Sequence, residues 1–310
     1  QWTKQLGTSE NDYGYGVTAD SADNIYVAGN TGGGLDGNTS AGSDDVFLVK
    51  YNSAGTKQWT KQFGTNALEQ GWSVTADSAD NIYVAGTTVG GLDGNTSAGD
   101  KDVFLVKYNS AGTKQWTKQF GNQYGQSGYG VTADSADNIY VTGMTGLGLD
   151  GNTSAGSSDI FLVKYNSAGT KQWTKQLGTS LEDYGYGVVA DSAGNIYLSG
   201  MTKGGLDGNT HSGEYDIYLA KYNSSGIKSE DVEPEESKVT LHNLDDETDV
   251  TVNLTSSDTG EATVSPATLT FTEDNWDTAQ TVTVTGVDDN DVDGHEEYEV
   301  SLSSADFLTD

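Results

Sequence analysis

Cysteine is absent from the 310 residues, and so is arginine. Without cysteine no disulfide can hold the fold. Without arginine the chain lacks the planar bidentate donor that reads phosphate and guanine, which argues against nucleic acid as a partner. All 15 basic residues are lysine, against 46 acidic ones, for a formal net charge of −31. An anionic membrane surface would repel such a chain, and no apolar run approaches the roughly 18 residues that span a bilayer, so no membrane insertion is expected. Proline occurs twice and histidine three times, as His211, His242 and His295. Neither His242 nor His295 has a plausible triad partner nearby, and no helical spacing of apolar residues is found. An initiator Met and a leader are also missing, so the sequence reads as a mature or excised segment of a longer chain.

What is present is repetition. The word QWTKQ returns with Trp2, Trp59, Trp116 and Trp173, 57 residues apart each time, and the repeated part covers residues 1–228. A fixed period of this size marks a propeller, a solenoid or a tandem array. In the first unit, YGYGVTAD (from Tyr13) and NIYVAGNT (from Asn24) alternate with the two-residue rhythm of half-buried strands. A Gly-rich loop leads to a third strand, VFLVKYN, and SAGT turns it into a fourth, KQWTKQ. Four short antiparallel strands per 57-residue unit describe one blade of a β-propeller.

The fourth unit ends without a Trp-bearing strand, while the chain starts with one that has no predecessor. This predicts an all-β, four-bladed propeller closed by pairing Gln1–Leu6 with the third strand of the last unit, at Tyr218–Tyr222, which would remove both open edges. The alternative is a larger ring in which Gln1–Leu6 pairs with an upstream blade. The ordered words G-Y-G-V, D-S-x-x-N-I-Y-V-x-G and V-K-Y-N-x-x-G resemble the SBBP family, a bacterial β-propeller repeat of large secreted and surface proteins. The resemblance covers all four units and implies a secreted or cell-surface location. The family's usual ring has seven blades, against four units here.

Residues 229–237 form a short acidic stretch around Pro234 that reads as a linker. Residues 238–310 carry five or more alternating segments, which predicts a β-sandwich. The span Val264–Gly294 resembles the immunoglobulin-like and Calx-β-like modules of bacterial surface proteins, with Trp276 as a packed aromatic at a sandwich corner.

Two places have the oxygen spacing of Ca²⁺ loops. Asp289, Asp291 and Asp293 alternate before Gly294, and Glu296 or Glu297 could complete a shell. In the blade loops, Asp36, Asn38 and Asp45 recur as Asp93, Asn95 and Asp102, as Asp150, Asn152 and Asp159, and as Asp207, Asn209 and Asp216. His211 interrupts the fourth loop where the others have Ser40, Ser97 and Ser154. The aromatics Tyr13, Tyr15, Trp72, Tyr129, Tyr184 and Tyr186 fall at the inner-strand entrance of the blades. They are expected to pack blade against blade, with a sugar platform as the alternative. Near-identical repeats offer equivalent places rather than one asymmetric catalytic constellation, so no enzyme is expected. The expected function is a non-catalytic structural or adhesive segment of an extracellular protein, stiffened by Ca²⁺, whose partner is a protein or glycan at a cell surface or a second copy of itself. The alternative is a multivalent carbohydrate-binding propeller.

Overall fold

The computed structural model describes residues 1–228, 235–239, 249–257, 259, 262–272, 274–275, 278–286 and 300–304. The chain divides into two compact units, Gln1–Lys228 and Ser229–Asp310. Every described regular element is a strand or a three-residue 3₁₀ turn, and no described helix is long and apolar enough to cross a membrane.

The first unit holds four antiparallel sheets in sequence. They comprise β1 (Asp12–Ala19), β2 (Ile25–Thr31), β3 (Asp45–Tyr51) and β4 (Lys57–Phe63); then β5 (Glu69–Ala76), β6 (Ile82–Thr88), β7 (Asp102–Tyr108) and β8 (Lys114–Phe120). The third has β9 (Gln126–Ala133), β10 (Ile139–Thr145), β11 (Asp159–Tyr165) and β12 (Lys171–Leu177). The fourth has only β13 (Asp183–Ala190), β14 (Ile196–Thr202) and β15 (Asp216–Tyr222). The blade reading of the repeat therefore holds strand for strand.

Local chemistry sets each turn. Asp20 ends β1, and its carboxylate accepts hydrogen bonds from the backbone N–H of Ala22 (3.0 Å) and Asn24 (2.8 Å) and from the Tyr26 hydroxyl (2.8 Å). Asp77 and Asp134 repeat the set in the next two blades. These carboxylates replace the water that the buried turn N–H groups would lose. In the SAGT turn, Gly55 adopts φ +78, and its equivalents Gly112, Gly169 and Gly226 lie at φ +78 to +79. A side chain there would be strained, and it would also strike a ring: a Cβ on Gly112 would sit 3.0 Å from the indole of Trp59 in the preceding blade.

The core lies between blades. Val46, Leu48 and Phe63 of the first blade share one buried cluster with Val74, Ile82, Val84, Phe104 and Tyr108 of the second. The same cluster recurs between the second and third blades and between the third and fourth. Each fully buried aliphatic side chain contributes roughly 1.5–3 kcal/mol. Polar latches span the same seams. Lys50 Nζ donates to the Ser110 carbonyl (3.1 Å) of the next blade, Lys107 to Ser167 (3.0 Å) and Lys164 to Ser224 (2.8 Å). Ser21 donates through N–H and hydroxyl to Asp80 (both 2.9 Å), and Ser78 likewise to Asp137 (2.9 and 3.0 Å).

The expected closing pair is not formed. Gln1–Leu6 belongs to no sheet, and β15 ends its sheet as an edge. Trp2 lies instead against blade one: its indole faces Gly55, as Trp59 faces Gly112, and its Nε1 donates to the Ser53 carbonyl at 3.2 Å. Blade four makes no packing with blade one comparable to the three internal seams. The contact of Trp2 with Gly55 and Ser53 holds residues 1–6 against blade one, where they pair with no edge strand.

In the second unit β16 (Glu235–Val239), β20 (Gln280–Gly286) and β18 (Ala262–Ser265) form one three-stranded sheet. The other contains β19 (Thr268–Phe271), β17 (Val250–Ser256) and β21 (Val300–Ser303). Val250, Val252, Leu254, Leu269, Phe271 and Val282 are buried together. The first strand begins at Glu235, within the stretch expected to be linker. Trp276 lies outside the described residues.

Candidate functional site

Each inner strand carries one bulge. In β1, Gly14 pairs with Gly29 and Gly16 with Ala28, which leaves Tyr15 as an extra residue in the ladder. Trp72, Tyr129 and Tyr186 are the extra residues in β5, β9 and β13. A bulge re-aims its side chain and tightens the local twist. The partner strand accommodates it with glycine: a Cβ on Gly29 would lie 1.8 Å from the Tyr13 carbonyl oxygen, and one on Gly86 would lie 1.9 Å from that of Gln70.

The four bulged rings form a continuous belt. Ring centroids are 4.5 Å apart for Tyr15 and Trp72, 5.8 Å for Trp72 and Tyr129, and 5.3 Å for Tyr129 and Tyr186. Tyr13 stacks on Tyr15 at one end and Tyr184 on Tyr186 at the other, each at 6.1 Å. Tyr13, Tyr15 and Tyr186 are 44–46% exposed, and the other three are half-buried. None of the six belongs to the buried clusters between blades; Tyr15, Trp72, Tyr129 and Tyr186 meet from blade to blade as expected, but at a partly exposed surface. Burial foremost, then neighbouring hydroxyls and carboxylates, raises the pKa of Tyr15, Tyr184 and Tyr186, which keeps them neutral hydrogen-bond donors.

Blade four breaks the symmetry of the belt. Lys203 Nζ donates to Glu182 Oε2 at 2.7 Å and lies 4.6 Å from the centre of the Tyr215 ring. Tyr215 Oη lies 3.5 Å from Glu182 Oε2, and after burial the charges of Glu182 and neighbouring tyrosines, Tyr215 among them, raise the pKa of Tyr184. Sequence reasoning missed the three, although the signal was available. The positions of Lys203 elsewhere hold Gly32, Val89 and Gly146, and those of Glu182 hold Asn11, Leu68 and Gly125.

The blade-loop oxygens are dispersed. Asp36 accepts from Lys57 and Thr60, Asp93 from Lys114 (2.7 Å) and Thr117, Asp150 from Lys171 and Thr174, and Asp207 pairs with Lys228. Asn38, Asn95, Asn152 and Asn209 donate to the carbonyls of Leu35, Leu92, Leu149 and Leu206. Asp45, Asp102 and Asp159 lie elsewhere: each accepts through Oδ2 from a loop N–H and a glutamine amide, and each leaves Oδ1 buried without a partner. Asp216 accepts from Ser212 N–H and sits 3.1 Å from His211 Nδ1. Among the described residues no group of three or more His, Cys, Asp or Glu side chains is arranged to hold a metal ion. Asp289, Asp291, Asp293, Glu296 and Glu297 lie outside the described residues.

Comparison with known proteins bears on the repeat. The model of the SBBP beta-propeller repeat matches residues 1–36, 58–93, 115–146 and 172–207. A WD repeat-containing protein of Acanthamoeba polyphaga mimivirus is 27% identical over 243 residues, which is 61% of this chain and 18% of that one. The regulatory protein FlaEY of Caulobacter vibrioides is 25% identical over 264 residues, 72% of this chain and 28% of the relative. The chain thus spans less than a third of the length of these curated relatives. Among solved structures, an ulvan lyase of polysaccharide lyase family PL25 superposes with a TM-score of 0.42 at 11% identity, covering 87% of this chain and 63% of the lyase.

Proposed function

We propose that the chain is a non-catalytic adhesive segment, acting outside the cell, whose blades present the aromatic belt to carbohydrate. The observation that carries this reading is the run of six touching rings, four of them held at bulges that the ladder itself does not need. A ring in a hydrophobic seam is covered; these rings are presented. Aromatic faces offer flat apolar platforms, with their polar tips at the edge. Tyrosine hydroxyls, Glu182 and Lys203 supply donors and acceptors of the kind that sugar hydroxyls complete. The net charge of −31 disfavours acidic polysaccharide and selects neutral glycans. Repetition suits such binding, because equivalent subsites on one rigid body add avidity. The test is affinity electrophoresis through gels containing neutral polysaccharides. Retardation that weakens at least about tenfold in Trp72→Ala and Tyr129→Ala, ~1.4 kcal/mol, supports the reading. Migration that no neutral glycan alters overturns it.

A second reading, stabilisation by Ca²⁺, is favoured by one feature: the partnerless buried Oδ1 atoms of Asp45, Asp102 and Asp159. Buried carboxylate oxygens are normally satisfied, and a hard cation is one partner that would do so.

A further inference from the structure

We infer that Ca²⁺ binds inside the seams between blades, one ion between Asp45 and Glu69 and a second between Asp102 and Gln126, and so staples successive blades together. The inference rests on the calcium reading above and gives it a place. Asp45 opens β3 of the first blade and Glu69 opens β5 of the second; Asp102 on β7 and Gln126 on β9 repeat the pair one seam further on. All four residues are fully buried. The main chain fixes each pair, because the Glu69 N–H donates to the Asp44 carbonyl and the Gln126 N–H to the Lys101 carbonyl, both at 2.9 Å.

In each seam two acceptors face one spot. A Cβ on Gly64 would lie 2.1 Å from Asp45 Oδ1 and 2.7 Å from Glu69 Oε2, so those oxygens are within 4.8 Å of each other. A Cβ on Gly121 would lie 2.2 Å from Asp102 Oδ1 and 2.4 Å from Gln126 Oε1, which puts that pair within 4.6 Å. Glycine keeps the spot free of a side chain, and among the described residues no N–H or O–H reaches either Oδ1. The surrounding groups are already engaged. Asp45 Oδ2 accepts from the Ala41 N–H (2.7 Å) and the Gln62 amide (2.8 Å), and Glu69 Oε2 accepts from the Thr65 N–H (2.6 Å). The Gln126 amide nitrogen donates to the Asn122 side chain (2.6 Å) and the Tyr124 carbonyl (2.7 Å), so its oxygen is the atom that meets Asp102.

Electrostatics decide what fills the gap. Among the described residues no lysine pairs with Asp45, Glu69 or Asp102, and a buried charge without a partner is costly. Ca²⁺ binds oxygen at roughly 2.3–2.6 Å, so one ion touches two oxygens up to about 5 Å apart. Carboxylate and amide oxygens both belong to its ligand set, which accommodates Glu69 in one seam and Gln126 in the next. Among the described residues no third acid joins either pair. Buried water and main-chain carbonyls therefore complete the roughly six to eight oxygens that Ca²⁺ takes. The third seam differs. Asp183 is one methylene shorter than Glu69, and none of its oxygens lies within 3.0 Å of the Gly178 Cβ position that Asp159 Oδ1 approaches at 2.4 Å. A proton caught between the oxygens is the competing occupant, and an ion count separates the two.

The test is equilibrium dialysis of the full chain, stripped with EDTA and returned to about 5 mM free Ca²⁺, above the weak affinities of extracellular sites. The number of bound ions should fall by one in Asp45→Asn, by one in Asp102→Asn and by two in the double variant. Asp36→Asn should leave it unchanged, because Lys57 and Thr60 hold that carboxylate. Glu69→Gln copies the donor set of the second seam, so it should keep its ion with a dissociation constant raised about tenfold. The new amide of Asp45→Asn supplies the donor that Glu69 Oε2 lacks, so in EDTA this variant should melt no lower than the parent. Equal counts in the parent, Asp45→Asn and Asp102→Asn overturn the inference, as does a parent that binds no Ca²⁺. Where the counts are equal yet EDTA lowers the parent's melting temperature, the calcium reading survives and the seam assignment falls; where EDTA leaves the parent's melt unchanged, both fall.

Discussion

Leu105 and Leu219 occupy the same place in the repeat, two units apart, in nearly the same local sequence. Leu105 is fully buried in a cluster with Val131, Ile139 and Val141 of the next blade, while Leu219 is 74% exposed. Leu105→Ala removes three carbons from a seam held on both sides by sheets, which cannot collapse around the cavity. The cost expected for a buried leucine is about 2–5 kcal/mol. Leu219→Ala changes a surface residue and should stay within about 0.5 kcal/mol in the isolated chain. For a unit of this size each kcal/mol moves the melting temperature by roughly 2–4 °C, so Leu105→Ala should melt about 5–15 °C early and Leu219→Ala within about 2 °C of the parent. The assay is thermal melting at a concentration low enough to hold the chain monomeric, since association would protect Leu219 by mass action. Equal losses for both variants under those conditions would refute the reasoning, because Leu219 would then be buried within a single chain.

The remaining predictions follow from the turns, the loops and the belt. Burial raises the pKa of Asp20, Asp36 and Asp93, but hydrogen bonds from Asn24 and Tyr26, from Lys57 and Thr60, and from Lys114 and Thr117 outweigh it, so all three lie below the ordinary 3.8. A depressed folded value gives stability that is present above the ordinary pKa and lost as pH falls through the folded one. The melting temperature should therefore lose these contributions below about pH 4, with a smaller acid-induced drop in Asp93→Asn. If Ca²⁺ occupies either loop class, an ion tenfold above its dissociation constant adds about 1.4 kcal/mol per site; EDTA should lower the melting temperature, and an unchanged melt removes calcium from the account. Gly86→Ala puts a methyl 1.9 Å from the Gln70 carbonyl and 2.6 Å from the Phe104 ring, so it should cost at least about 3 kcal/mol. Trp72→Ala should abolish most glycan retention while the melt stays within a few degrees.

Blade grammar was legible because strands, turns and core obey short-range rules that four copies state redundantly. Asp20 before Asn24 and Gly55 after Asn52 announce their turns from sequence alone. Which residues meet across a seam was not read from the sequence; that Trp59 faces Gly112 of the next blade shows only in the fold. Ring closure was not legible either, because curvature accumulates over many small rotations that no motif encodes. The exposure of the belt was hidden for a different reason: residues that alternate perfectly in sequence lose their face where the ladder inserts one extra position. Tyr15 reads as part of the strand pattern, and only the pairing of Gly14 and Gly16 with adjacent partners shows it expelled. The blade-loop acids keep their regular spacing while their side chains take separate partners. Alternate oxygens suggested convergence, but the left-handed turn at Asp36 (φ 53) sends that carboxylate to Lys57 and Thr60 while Asp45 starts the next strand.

The inner-strand word G-[Y/W]-[G/S] thus carries two separable instructions. Its first glycine, with the glycine opposite on the second strand, permits backbones to approach so closely that no Cβ fits at Gly29, Gly86, Gly143 or Gly200. That part is architecture, and the glycine on the second strand tolerates no side chain. The aromatic between them has no such constraint: it is outside the ladder, partly exposed, and is Tyr in three blades and Trp in the second. A purely structural bulge would be served as well by a small or polar residue, which would avoid leaving a large apolar ring at the surface. All four blades place an aromatic there, and the rings touch across every seam. Contact between these partly exposed rings, which adds nothing to the buried clusters, is the observation on which the proposed glycan binding rests.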